Sequence, residues 1–248
     1  MSDAQNDQGN DQGNDQGVDI ADAPGWAAID RWVSAHFPHA TPHQFASRTP
    51  YELDTASPLP AITVFETRAP AGWLYVSYGL SELFEKSSDD PGVSGFGFEL
   101  TLRIPRAEGT GDEGGEPPVW PLKLFQALGH HALNTGGGFD SGHRLNLGAP
   151  LCPPSSDGPA DCRLSALICL PDPALGKIDT INGSLLFLRL FGVTDDELAA
   201  LTEVELGDLV ACLAELEGLA ITDPGRGSFF EDPEKSKILR RYKLGISL

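Results

Sequence analysis

Nine residues in the middle of the chain alternate almost without fault. Phe96, Phe98, Leu100, Leu102 and Ile104 fall on one side of a period of two, and Gly97, Glu99, Thr101 and Arg103 on the other. That period belongs to a half-buried β-strand. A chain carrying it must build a sheet with an apolar face and supply something to cover that face. Just upstream, Trp73, Tyr75, Val76 and Tyr78 give residues 73–78 a strand-like composition. Between the two runs lies an acidic loop with Glu85, Asp89 and Asp90, followed by the turn residues Pro91, Gly92 and Gly95. Residues 61–68 (AITVFETR) precede 73–78 across a four-residue APAG turn, so a hairpin is expected there.

The remaining elements follow from local signals. Residues 6–17 are three copies of NDQG with no apolar side chain. Such a tract cannot offset its ordering entropy and is expected to be a disordered tail. Trp26, Ile29, Val33 and Phe37 recur at helical spacing, and the Pro-rich stretch 38–60 reads as an extended connection. Residues 107–118 (AEGTGDEGGEPP) form a flexible acidic loop. A helix is expected over 120–134, with Pro121 in its first turn and the run Gly136-Gly137-Gly138 ending it. Short strands follow at 143–147 and 164–170. Asn182-Gly183 is a tight-turn signal between 177–180 and 184–191. The second of these runs is apolar on both faces around Arg189, which predicts a central strand. Thr194-Asp195-Asp196-Glu197 is a capping box, and Gly207 marks a break between two helical segments. A last strand is expected at 219–223. Strands arriving as hairpins with helices between them predict an α+β fold, with a mixed, largely antiparallel sheet and packed helices in a single domain. The expected divisions are a tail over 1–22, the domain over 23–231 and a basic, helix-compatible tail over 232–248 with Lys235, Lys237, Arg240, Arg241 and Lys243.

Charge narrows the partners. With 36 acidic and 17 basic residues the net charge is -19. That field repels phosphate backbones and anionic membranes and speeds encounter with a basic protein. Neither nucleic acid nor a membrane is an expected partner. No apolar run is long enough to cross a bilayer, and the N-terminus has no basic-then-apolar leader, so a cytoplasmic chain with reduced thiols is expected. None of Cys152, Cys162, Cys169 and Cys212 forms a C-x-x-C pair. Cys152 and Cys162 flank a Pro/Ser/Gly/Asp loop and could pair if oxidised.

Five blocks together carry a family likeness: WLYVSYGLSELFEK, SGFGFELTLRI, PPVWPLKLFQALGHHAL, LICLPDPALGKIDTINGSLLFLRLFGVTDDEL and LAITDPGRGSFFE. In this order and spacing, over roughly 58–231, the chain resembles the suppressor-of-fused domain. The resemblance implies a sheet with helices packed around it. It also implies a protein-binding function: the animal family member grips a short peptide of GLI-type transcription factors as an added strand between this domain and a second, C-terminal one. The chain is expected to end where that second domain would begin. The family's peptide-contacting tyrosine, on the helix after the WP motif, falls at His131, and its contacting aspartate falls at His143. Stand-alone bacterial domains that look like this one imply a further role as immunity proteins that bind and neutralise toxin domains.

The residues themselves offer little catalytic chemistry. No G-x-S-x-G elbow or H-E-x-x-H motif is present. Asp140, Ser141 and His143 are too close in sequence for a triad and read as a turn. His130 and His131 point about 100° apart on a helix, so both do not face one metal. Glu99 and Arg103 read as a solvent-facing ion pair. No catalytic residue, metal or cofactor is expected. The expected partner-binding residues are Glu82, Glu85, Asp89 and Asp90 of the acidic loop, with His131, Asp140 and His143. The leading expectation is an immunity-type inhibitor of a toxin domain. A regulatory scaffold for an endogenous protein or peptide, and a small-molecule or metal-dependent enzyme using His131 and His143, are the alternatives.

Overall fold

The computed structural model describes residues 23–46, 58–68, 70–106, 115–217 and 221–245. The NDQG tract and most of the 107–118 loop lie outside the described residues. The chain opens with helix α1 (Pro24–His36) and strands β1 (Pro42–Ala46), β2 (Ala61–Arg68), β3 (Ala71–Tyr78) and β4 (Val93–Pro105). Helix α2 (Trp120–Thr135) leads to β5 (Arg144–Asn146), β6 (Ala166–Pro171), β7 (Lys177–Thr180) and β8 (Gly183–Val193). Helices α3 (Asp195–Leu201), α4 (Leu206–Glu217) and α5 (Pro233–Lys243) complete it.

The eight strands form one sheet in the order β1-β2-β3-β4-β8-β6-β5, with β7 also paired to β8. Every pairing is antiparallel except β4 with β8, which run parallel. This is the expected α+β architecture. The β2–β3 and β7–β8 hairpins form where expected, with tighter turns: Ala71 and Gly72 already pair with Arg68 and Thr67, and Gly183 pairs with Thr180. Strand β8 is central, flanked by β4 and β6.

One face of the sheet carries Trp73, Tyr75, Phe98, Leu100, Leu102, Leu188 and Leu190. Helix α2 covers them with Trp120, Phe125, Leu128 and Ala132. The other face is covered twice. Trp26, Ile29 and Val33 of α1 pack on Leu74, Val76, Leu185 and Phe187. Leu201, Leu209, Leu213 and Leu239 of α3, α4 and α5 pack on Ile168, Leu170 and Phe191. Each such Leu or Phe contributes about 1.5–3 kcal/mol by leaving water.

Four expectations are corrected, the first two because both faces are covered. Strand β4 is not half-buried, because Glu99, Thr101 and Arg103 are enclosed as fully as the apolar residues between them. Glu99 and Arg103 therefore do not form a solvent-facing pair. Arg103 instead donates both Nη atoms to Asp172, at 2.7 and 3.0 Å, beside Thr101 Oγ1 at 2.8 Å. The 38–60 stretch is not wholly extended connection, since its 42–46 segment pairs with β2 as an edge strand, where a leading proline is tolerated. Residues 221–223 are not in a strand; 218–220 lie outside the described residues. Thr222 donates its backbone N–H to Arg103 O (2.8 Å) and its hydroxyl accepts Gly192 N (3.0 Å), and Pro224 offers no further donor.

Between the two helical covers lies a polar seam. Arg189 pairs in register with Thr101 on one side and Leu170 on the other, and its Nε has no hydrogen-bond partner. Burial pushes the Arg189 guanidinium down to about 10, against the pull of Asp172. Asp172 thus serves two guanidinium groups, and its Oδ1 also accepts the backbone N–H of Ala174 and Leu175. Removing this carboxylate leaves two buried cations without compensation. Asp172→Ala is expected to cost about 3–5 kcal/mol in urea unfolding, whereas an exposed control such as Asp89→Ala stays within about 0.5 kcal/mol.

Candidate functional site

The site begins with an irregularity in β4. Val93 pairs with Ser184 and Phe98 with Leu186, so five residues of advance on β4 oppose two on β8. The surplus forms a bulge, and Gly95 (φ 55°) and Gly97 (φ 81°) adopt the left-handed backbone it requires. Phe96, between them, is pushed out of the ladder and left half-buried. It lines two cavities at once. One, of about 660 Å³, is walled by Leu80, Glu82, Phe84, Glu85 and Leu133. The other, of about 460 Å³, is walled by Phe98, Phe139, Asp140 and His143. Sharing Phe96, they make one groove, apolar in its larger part and more polar in its smaller, and Phe84 (41% exposed) and Leu133 (37%) stand on the rim.

The wall of the larger cavity is tied to a buried carboxylate. The β3–β4 ladder ends at Val76 opposite Thr101. Beyond it Ser77 Oγ donates to Glu99 (2.5 Å) and accepts Leu100 N (2.8 Å). Gly79 N (2.9 Å), Ser81 N (2.9 Å) and Ser81 Oγ (2.6 Å) donate to the other Glu99 oxygen. Residues 77–81 are so wrapped around one side chain. Burial pushes the Glu99 carboxyl up to about 6, while these donors pull the other way.

An aromatic row crosses the smaller cavity. Phe98 meets Phe139 edge-on at 5.9 Å, and His131 of α2 stacks on Phe139 at 5.7 Å with 14° between the planes. Helix α2 ends at Gly136 in a left-handed cap, as expected, which turns the chain toward Phe139. Asp140 N donates to His143 Nδ1 at 3.1 Å, so in the neutral ring Nε2 is the donor. The exposed side chains His131, Asp140 and His143 are thereby gathered around Phe139. Sequence reasoning placed these three together and missed Phe84, Phe96 and Leu133. For Phe96 the signal was present, a phenylalanine between two glycines inside a strand. For Phe84 and Leu133 no local signal separates a rim residue from a core one.

The acidic loop is more divided. Glu82 is turned inward and accepts Lys86 Nζ (2.9 Å), Ser87 N (2.7 Å) and Ser88 N (2.6 Å), which hold its carboxyl down to about 2 despite the opposing desolvation. Asp90 accepts Gly92 N (2.8 Å) in the following turn. Glu85 and Asp89 are exposed, and Glu85 borders the groove. Among the described residues no three or more His, Cys, Asp or Glu are gathered as metal ligands. No helix of the described residues is long and apolar enough to cross a membrane.

The model of the family described as Suppressor of fused protein (SUFU) matches residues 56–227. The chain belongs to the suppressor-of-fused family. The human Suppressor of fused homolog is 29% identical over 168 residues, 63% of this chain and 33% of the human protein. The mouse homolog matches to the same extent. The chain therefore spans about a third of the length of these curated relatives. A chain of the Sufu-Fu complex crystal structure aligns with a TM-score of 0.76 at 28% identity, covering 88% of this chain and 97% of that one. Drosophila Suppressor of Fused gives 0.77 at 28% identity, covering 89% of this chain and 55% of that one. A homologue from Neisseria gonorrhoeae, at 15% identity and a TM-score of 0.55, shares the fold.

Two of the family-like blocks meet in the structure. Glu197, from the TDDE capping box, accepts Arg226 Nη1 and Nη2 at 2.7 Å each, with Thr194 N (3.0 Å) and Phe229 N (2.6 Å). Arg226, from DPGRGSFFE, also lies 3.8 Å over the Phe229 ring.

Glu99 has a measurable signature. Its folded pKa of about 6 lies above the ordinary 4.5, so its favourable contribution is complete below pH 4.5 and is lost as pH rises through 6. Urea unfolding of wild type and Glu99→Gln at pH 4.5 and pH 7 is expected to show the gap moving against wild type by roughly 2 kcal/mol. An unchanged gap would place the carboxyl in an ordinary environment.

Proposed function

We propose that this chain is a non-enzymatic protein-binding domain that takes an extended segment of a basic partner across the Phe96 groove. The observation that carries this reading is the bulge. It throws one aromatic side chain into the meeting point of two cavities, with exposed Phe84 and Leu133 on the rim. Buried aromatic anchors supply most of the affinity in such contacts. His131, Asp140 and His143 supply polar contacts around Phe139. Glu85, Asp89 and Asp90 steer a cationic partner, and Glu82 shapes the loop that presents them. A relative crystallised as a Sufu-Fu complex supports protein binding as the kind of activity. The net charge of -19 favours a basic partner. In its most specific form, the partner is a basic toxin domain that the chain neutralises as an immunity protein.

The test is capture on the tagged chain from the native lysate, followed by affinity measurement with the recovered protein. Phe96→Ala is expected to weaken binding about thirtyfold, mainly through faster dissociation. Glu85→Lys with Asp89→Lys is expected to slow association and flatten its salt dependence. A stoichiometric complex that abolishes the partner's toxicity supports the immunity form. A non-toxic endogenous regulator that obeys the same variants moves the reading to a regulatory scaffold. Binding indifferent to Phe96 would remove the groove from the argument.

A further inference from the structure

The cysteines at positions 152 and 162 hold chemistry that the groove does not use. They lie ten residues apart at the two ends of a loop. Leu151 N donates to Leu164 O at 2.8 Å, which draws the loop's ends together, and Cys162 N closes a turn on Pro159 O at 3.3 Å. The closure sets the two thiols beside each other, near enough for each to shift the other's acidity. They are unequal. Cys152 is sealed in the core beneath α2, and the neighbouring Cys162, with burial and Asp157, pushes its thiol up. Cys162, 6% exposed, lines a surface cleft of about 620 Å³ with Asn146, Pro150, Arg163 and Ser165. The neighbouring Cys152 thiol, helped by backbone N–H groups, holds the Cys162 thiol down. Cys169 and Cys212 are enclosed elsewhere, and burial pushes both up to about 12.

We propose that Cys152 and Cys162 form a redox-active dithiol, in which Cys162 reacts first with a small disulfide such as oxidised glutathione entering the cleft and Cys152 resolves the adduct. The Cys162 thiolate attacks one sulfur of the disulfide, the S–S bond breaks, and one glutathione thiolate leaves. The Cys152 thiol attacks Cys162 Sγ as its proton passes to the second glutathione, which leaves as the thiol. Two electrons pass from the protein to the small disulfide, and the first released thiolate takes a proton from water. The new bond closes the loop that carries Asp157. That carboxylate accepts the backbone N–H groups of Val119 and Trp120 (the latter at 3.0 Å) where α2 begins. Oxidation therefore fixes the cap of the helix whose far end carries His131.

The whole chain is incubated with a defined ratio of reduced to oxidised glutathione, quenched with an alkylating agent, and read by intact mass and peptide mapping. The expected product has lost the mass of two hydrogens and links Cys152 to Cys162, while Cys169 and Cys212 alkylate only after denaturation. Early time points are expected to show glutathione on Cys162 and not on Cys152. Cys152→Ser is expected to retain glutathione on Cys162, and Cys162→Ser to take up none in the same time. The linked form is expected to unfold at a higher temperature than the reduced form. No linkage at any ratio, linkage through Cys169 or Cys212, or early adducts on Cys152 overturns the proposal. The wild-type time course decides it even where a variant does not fold.

Discussion

A single buried carboxylate governs how the groove is built. Glu99 sits mid-strand with no water to solvate it, and burying an unpaired charge costs several kcal/mol. Here the cost is offset by hydroxyl and amide donors, all drawn from residues 77–81. A charge-assisted bond of this kind contributes more than a neutral one. Those donors cannot be satisfied unless the chain leaves the β3–β4 ladder after Val76 and curls over the strand. Once it does, Leu80 O is in place to accept Phe96 N at 2.8 Å, which secures the bulge. The same curl sets the wall of the larger cavity. Charge burial, strand splay and the placement of Phe96 are one arrangement.

The sheet's second face follows the same logic at larger scale. Two apolar clusters flank a polar seam in which Arg103, Asp172 and Arg189 meet, and a second enclosed pair, Glu197 with Arg226, closes the far side. An acidic protein spends several of its few cations internally. Arg144 likewise donates Nε to Leu201 O (2.8 Å) at the end of α3. The exposed surface is left with a larger share of carboxylates than the composition alone conveys. Glu85 and Asp89 stand in the open, unlike the buried cations.

What was legible in the sequence was local. The period of β4, the Asn182-Gly183 turn, the TDDE box and the glycine stop after α2 each act within a few residues, and each formed where expected. The illegible features are those decided by chain segments far apart. Nothing near Glu99 announces that helices cover both faces of its strand, so a solvent-facing carboxylate was the natural expectation. Nothing near Val93 announces a parallel partner some ninety residues on. The candidate site divides in the same way. His131, Asp140 and His143 are brought around Phe139 by a helix end and a tight loop. Glu82 reads as one more loop acid until Lys86, Ser87 and Ser88 are seen to close on it.

Helix α2 joins the two chemically distinct parts of the molecule. Its sixteen residues span about 24 Å at 1.5 Å per residue. At its start, Val119 and Trp120 give their orphan N–H groups to Asp157, on the loop between Cys152 and Cys162. At its middle, Gln126 exchanges two hydrogen bonds with the backbone of Leu59, at 3.1 and 3.2 Å. Near its end, His131 stacks on Phe139 and Leu133 borders the groove. A regular helix resists bending, so a displacement imposed at the Asp157 end cannot be absorbed within it. With Leu59 holding the midpoint, such a displacement reaches the His131 end as a tilt. One helix thus carries contacts of the thiol loop at its start and of the groove's polar rim near its end.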